Sequence, residues 1–172
     1  MASNTVLCNQ FQAVPAQCKT NMGGVKRAWI TTWDQFAFTT DATGLTTAIF
    51  SGATAIYEII PARASSSFNQ EQVIDNTNTM YKQTVELHIP NYKAYIRNLI
   101  WSLAQTPGIV TINQTRNDQF FLFGSENGLQ FGSKVASGVA EGDKKETIMT
   151  FEGIEAYPAL EIDPSVMTPY II

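Results

Sequence analysis

One histidine, His88, serves the whole chain of 172 residues, and that scarcity removes most hydrolytic chemistry. A Ser-His-acid or Cys-His arrangement would have to be built around this single imidazole, and no serine stands in a nucleophile-elbow context. Cysteine is equally scarce. Cys8 and Cys18 are the only two, and beside one histidine they match no zinc spacing. The opening residues lack a basic region followed by an apolar run, so both thiols are expected to be free, in cytosol-like conditions. No stretch approaches about 18 apolar residues, which excludes a membrane-spanning helix. Charge is thin as well, at 15% Asp, Glu, Lys and Arg, against about a quarter in typical domains. The remaining polar surface is mostly Thr, Asn, Gln and Ser, a composition suited to extensive protein contacts.

The charge that is present is unevenly placed. Met1 to Arg116 carries 8 basic and 6 acidic residues, net +2, whereas Asn117 to Ile172 carries 3 basic and 9 acidic, net −6. An overall charge of −4 argues against tight nonspecific nucleic-acid binding, which needs phosphates neutralised by Lys and Arg. A bipolar chain favours head-to-tail association.

The length fits one domain with a real core. One segment has a helical period. In "NYKAYIRNLIWSLAQTPG", Tyr92, Tyr95, Ile96, Leu99, Ile100 and Leu103 form an apolar stripe. Pro90 and Asn91 supply its start and cap, and Pro107 and Gly108 its stop. Nearly everything else has strand character. "TVELHI" alternates apolar and polar residues, as a half-buried strand does. "VKRAWITTW", "TAIYEII", "GIVTINQ", "QFFLFG" and "ETIMTFEGI" are β-branched and aromatic, with turn formers at their ends. "NQTRND" predicts a hairpin turn between two of them. The expected fold is mainly β, about eight or more strands as a sandwich or barrel, with one principal amphipathic helix packed on it (α+β). Residues 1–24 are expected to form an amino-terminal arm. The segments 62–79 and 132–145 are polar and weakly periodic and predict long loops.

"FLFGSENGLQFGS" spaces Gly124, Gly128 and Gly132 four residues apart. A phosphate cradle needs a following helix and usually a lysine, and neither follows. A membrane-helix contact needs an apolar span, which "SEN" interrupts. A hairpin explains the spacing: "QFFLFG" runs out, "SENG" turns with Asn127-Gly128 at positive φ, and "LQFG" returns. Glu152, Glu155, Glu161 and Asp163 form an acidic run. It reads as a solvated or lumen-facing surface rather than a paired-carboxylate site for glycoside hydrolysis.

The order of segments carries a resemblance over about residues 80–163, roughly half the chain. "VELHIP" runs into the amphipathic helix, a turn follows at "FLFGSENGL", and "ASGVAEGD" precedes "TIMTFEGIEAYPA". This pattern resembles structural tail proteins of tailed bacteriophages, those of phages of Bacteroidetes hosts including the crAss-like group. The resemblance implies a tail-tube-like fold, two sheets in a small sandwich or barrel flanked by a helix. It also implies a virion structural protein, assembled in the host cytoplasm, that forms a ring of the tail tube or head-to-tail connector. Neighbouring subunits would line a channel through which double-stranded DNA passes transiently, and adjacent tail or connector rings would be its partners. It implies no catalytic, cofactor-binding or metal residues. The polar loops then become inter-subunit candidates, through Ser66, Phe68, Gln70, Val73, Val135, Val139 and Lys144. Glu141, Asp143, Glu152 and Glu155 become acidic channel-face candidates, and Asn127 and Gly128 the turn.

Two other classes stay open on the residues alone. A β-sandwich binding module would recognise carbohydrate or another virion protein through Trp29, Trp33 and Tyr57. An enzyme would have to use His88 or Glu152.

Overall fold

The stretch from Ile109 to Gln114 is buried at six consecutive positions. A strand does this only when both of its faces are covered, so the sheet that holds it has a core on each side. A computed structural model describes residues 23–51, 56–62, 65–76, 78–139, 143 and 145–171. Cys8, Cys18, Glu141, Lys144 and all but the last two residues of the amino-terminal arm lie outside the described residues.

The elements run β1 (Val25–Thr32), β2 (Phe36–Thr40), β3 (Thr46–Ser51), β4 (Tyr57–Ile59), β5 (Ser67–Asp75), β6 (Asn78–Pro90), α1 (Ala94–Ala104), β7 (Ile109–Thr115), β8 (Phe120–Phe123), β9 (Gln130–Ala136), β10 (Glu146–Glu155), β11 (Leu160–Ile162) and α2 (Pro164–Met167). Short 3-10 turns follow β1 at Trp33–Gln35 and α2 at Thr168–Tyr170. Two sheets result, one of seven strands in the order β2-β3-β11-β8-β7-β1-β4 and one of four in the order β5-β6-β10-β9. The expected mainly β fold with one principal helix holds, and the sheets stack open instead of closing into a barrel.

The first core lies between the sheets and under α1. Val85, Leu87, Met149 and Phe151 from the small sheet meet Ala28, Ile30, Ile109 and Phe123 from the large one, with Ile96 and Leu103 from the helix. The second core covers the far face of the large sheet, where Trp29, Val110, Ile112, Phe120 and Leu122 pack with Ile162 and Met167. Asp163 caps α2 by accepting from the Ser165 amide, and the Trp29 indole donates to the Tyr170 carbonyl at 3.1 Å. Burial on both sides is why "AWI", "IVTIN" and "FFLF" show no polar alternation.

Four expectations need correction. Residues 67–75 are not a loop: they pair with β6 from Ser67↔Glu86 to Asp75↔Asn78, forming a long hairpin arm. The sequence hid it because most of β5 is exposed, and a strand shows its period only when one face is buried. Likewise 132–136 belong to β9, paired with β10.

The hairpin expected at "SENG" is a crossover between sheets. β8 pairs with β7 and β11, while β9 pairs only with β10 in the other sheet. Local sequence specifies a chain reversal, but not whether the returning strand rejoins the same sheet. Gly124 and Gly128 sit at φ 75° and 74°, the left-handed region glycine tolerates.

Finally, Asn91 does not cap the helix. Lys93 holds that position without a side-chain cap, and Asn91 takes φ 67°, donating its amide to the Lys145 carbonyl at 3.1 Å. The "NQTRND" hairpin forms as expected, with β7 antiparallel to β8, although Asn113 and Gln114 are buried strand residues.

Candidate functional site

Side chains alternate along a strand, so the small sheet has one face for the core and one for its surroundings. Gln83, Val85, Leu87, Met149 and Phe151 point inward. The register places Glu71, Lys82, Thr84, Glu86, His88, Thr150, Glu152 and Lys134 on the other side. This outer face is mainly polar, its apolar residues being Ile148 and Ile154 on β10, Ala136 on β9, and Val73 and Met80 on the hairpin arm.

Its charges are organised. Lys82 Nζ lies 2.8 Å from Glu152 Oε1, and this hydrogen bond, with the carboxylate's charge, raises the Lys82 pKa. His88 stands between two carboxylates, Nε2 at 2.6 Å from Glu86 Oε1 and Nδ1 at 3.0 Å from Glu146 Oε2. Partial burial disfavours the imidazolium, but the two carboxylates outweigh it and the His88 pKa is raised. The backbone at this position is tied down as well, the His88 amide donating to Ser66 Oγ at 2.8 Å.

Neither long edge of this sheet, β5 or β9, has a strand partner on its outer side among the described residues. The edges run in opposite directions, because the four strands are successively antiparallel from one edge to the other. β5 of one copy laid beside β9 of another, related by rotation, would continue the antiparallel ladder.

The sequence-predicted residues divide accordingly. Glu152 is exposed on the outer face. Glu155 is not: it is 1% exposed, and its carboxylate accepts from the Glu126 amide at 2.9 Å and the Asn127 amide at 3.2 Å. Burial raises its pKa against the pull of those amides. Glu155 therefore holds the crossover in place, which removes it from the channel-face candidates. Asp143 is exposed and accepts from the Val139 amide at 2.7 Å.

Ser66 is buried and bonds within the subunit, and Phe68 packs its ring on Phe121 and Phe123. Ser66 is thus held inside the subunit, while Phe68 is half-buried at the edge of the first core. Gln70 is exposed, and its Oε1 accepts from the Ala159 amide at 2.5 Å. Val73 lies on the arm, and Val135 and Val139 are exposed. Asn127 and Gly128 form the crossover turn, with Gly128 against Gly108 and Trp33.

Of the aromatics considered for sugar binding, Trp29 is 1% exposed and belongs to the second core, while Trp33 and Tyr57 are accessible. Sequence reasoning missed the His88 cluster, although Glu86 and His88, two apart on a strand, share a face. It also missed Trp101, which is 70% exposed and visibly off the helical stripe.

Among the described residues no group of three or more His, Cys, Asp or Glu is placed to hold a metal ion, and no helix is long and apolar enough to cross a membrane. Compared with known proteins, the chain matches no family model, no curated protein and no solved structure.

Proposed function

We propose that this protein is a bacteriophage virion component that self-assembles into a ring of the tail tube or head-to-tail connector, with the outer face of its four-stranded sheet turned toward a DNA channel. The observation that carries the reading is that sheet: two edges of opposite direction, unpartnered among the described residues, and a polar, carboxylate-rich outer face. A contact between two different edges of identical subunits is heterologous, and it closes into a ring when the rotation between copies divides a full turn. Among the described residues, Glu71, Asp75, Glu86, Glu146 and Glu152 outnumber Lys82, Lys134 and His88 on this face. Such a wall repels phosphates and lets a duplex slide without sticking. The resemblance of residues 80–163 to phage tail proteins supports the same reading.

Light scattering on the size-exclusion eluate, with negative-stain microscopy, tests it. Rings of defined copy number are expected. A chain that stays monomeric at high concentration and is missing from purified virions would refute the proposal.

A binding module is the second reading, favoured by the accessible Trp33 and Tyr57. Glycan-array binding that is lost on Trp33→Ala would establish it.

A further inference from the structure

The hairpin arm and the helix each carry surface that the isolated subunit leaves uncovered. β10 stops pairing with β6 at Tyr81, so Asn78–Met80 and their partners Val73–Asp75 project beyond the sheet. That projection is about 10 Å for three residues. Ile74 lies on the side of the arm that carries Phe68 into the core, but past the core's end, and is 70% exposed. The next residue, Asp75, lies on the opposite side of the arm's tip and has no ion-pair partner among the described residues.

α1 offers the counterpart. A surface hollow of about 420 Å³ is lined by Tyr92, Arg97, Asn98, Ile100, Trp101 and Ala104. Trp101 is 70% exposed, and Arg97 too has no ion-pair partner among the described residues. The charges are complementary by segment. Residues 90–117 contain Lys93, Arg97 and Arg116 and no acid, and residues 65–81 contain Glu71 and Asp75 and no base. Glu71 faces Lys82 across the hairpin, which leaves Asp75 as the acid the arm can offer to a neighbour.

The two features are far apart in one subunit. The 13 residues of β6 separate the turn of the arm from the start of the helix segment, about 40 Å at strand rise. Different patches at separated positions make a heterologous contact, which propagates from copy to copy.

We propose that the arm tip of one copy seats end-on in the α1 hollow of the next, with Ile74 against Trp101 and Asp75 against Arg97. The proposal rests on the self-assembly reading and names a contact beyond edge pairing. Edge pairing extends the sheet sideways, whereas this contact links the projecting end of one subunit to the helix of another.

The test uses the full chain with Asp75→Lys, Arg97→Asp and the double exchange, each checked for folding by circular dichroism and followed by light scattering. Each single reversal places like charges across the contact and is expected to weaken association about tenfold or more. The double exchange is expected to recover it. A second measurement mixes Ile74→Cys and Asn98→Cys variants in a Cys8→Ser, Cys18→Ser background. A disulfide joining positions 74 and 98 is expected in the mixture and absent from either variant alone.

Folded single reversals that associate like the wild type, or a mixture without the 74–98 disulfide, overturn the contact while the ring reading stands. A wild-type chain that never associates overturns both.

Discussion

Replacing Gly128 with alanine probes the crossover that joins the two sheets. Gly128 sits at φ +74°, and a Cβ built there would lie 3.0 Å from Gly108 Cα and 3.0 Å from both Cβ and Cγ of Trp33. The left-handed conformation costs an L-residue about 1–2 kcal/mol. Overpacking against a backbone atom that cannot rotate away adds about 1–3 kcal/mol. Together these predict a loss of about 2–5 kcal/mol, with Trp33 displaced from its seat. Gly132 provides the control, because it lies within β9 and a Cβ added there would meet only the Thr150 carbonyl oxygen, at 3.9 Å. Gly132→Ala should stay within about 0.5 kcal/mol of wild type. Urea titration followed by tryptophan fluorescence reads both, as a lower midpoint at unchanged slope. Equal midpoints for Gly128→Ala and the wild type, or an equally large loss in Gly132→Ala, would refute the steric argument.

Ile96→Ala should cost about 2–5 kcal/mol, because Ile96 is 1% exposed in the first core, while Trp101→Ala should leave subunit stability nearly unchanged; thermal melts of both variants check this. Glu155→Ala leaves the Glu126 and Asn127 amides without their acceptor and should cost about 1–3 kcal/mol, whereas Glu155→Gln keeps one acceptor and should cost less by the same urea titration. The His88 pKa is raised by folding, so its contribution is fully present below the unfolded value of about 6.5 and is lost as pH rises through the folded value. Stability measured from about pH 6 upward should therefore fall in the wild type and fall less in His88→Gln.

The strands and the helix are legible because their burial leaves a local period. Val85 and Leu87 alternate with polar neighbours, and Ile96 and Leu103 share one helical face. The arm is illegible because Asn69–Gln72 face no core on either side. The crossover escapes a local reading because Gly124 and Gly128 permit a reversal without saying which sheet receives the chain. Glu155 looks like surface because it sits in an acidic run, and only the tertiary fold brings the amides of Glu126 and Asn127 to its carboxylate. His88, Glu86 and Glu146 meet because β6 pairs with β10 across 58 residues of chain from His88 to Glu146, a contact outside the reach of local pattern.

The most direct test of the proposed function is the mass and symmetry of the assembled particle, obtained by light scattering and electron microscopy on the same concentrated sample. The account predicts closed rings of identical subunits, each with the outer face of its β5-β6-β10-β9 sheet on the central opening. A monomer at every concentration, or rings with that face turned outward, would contradict it.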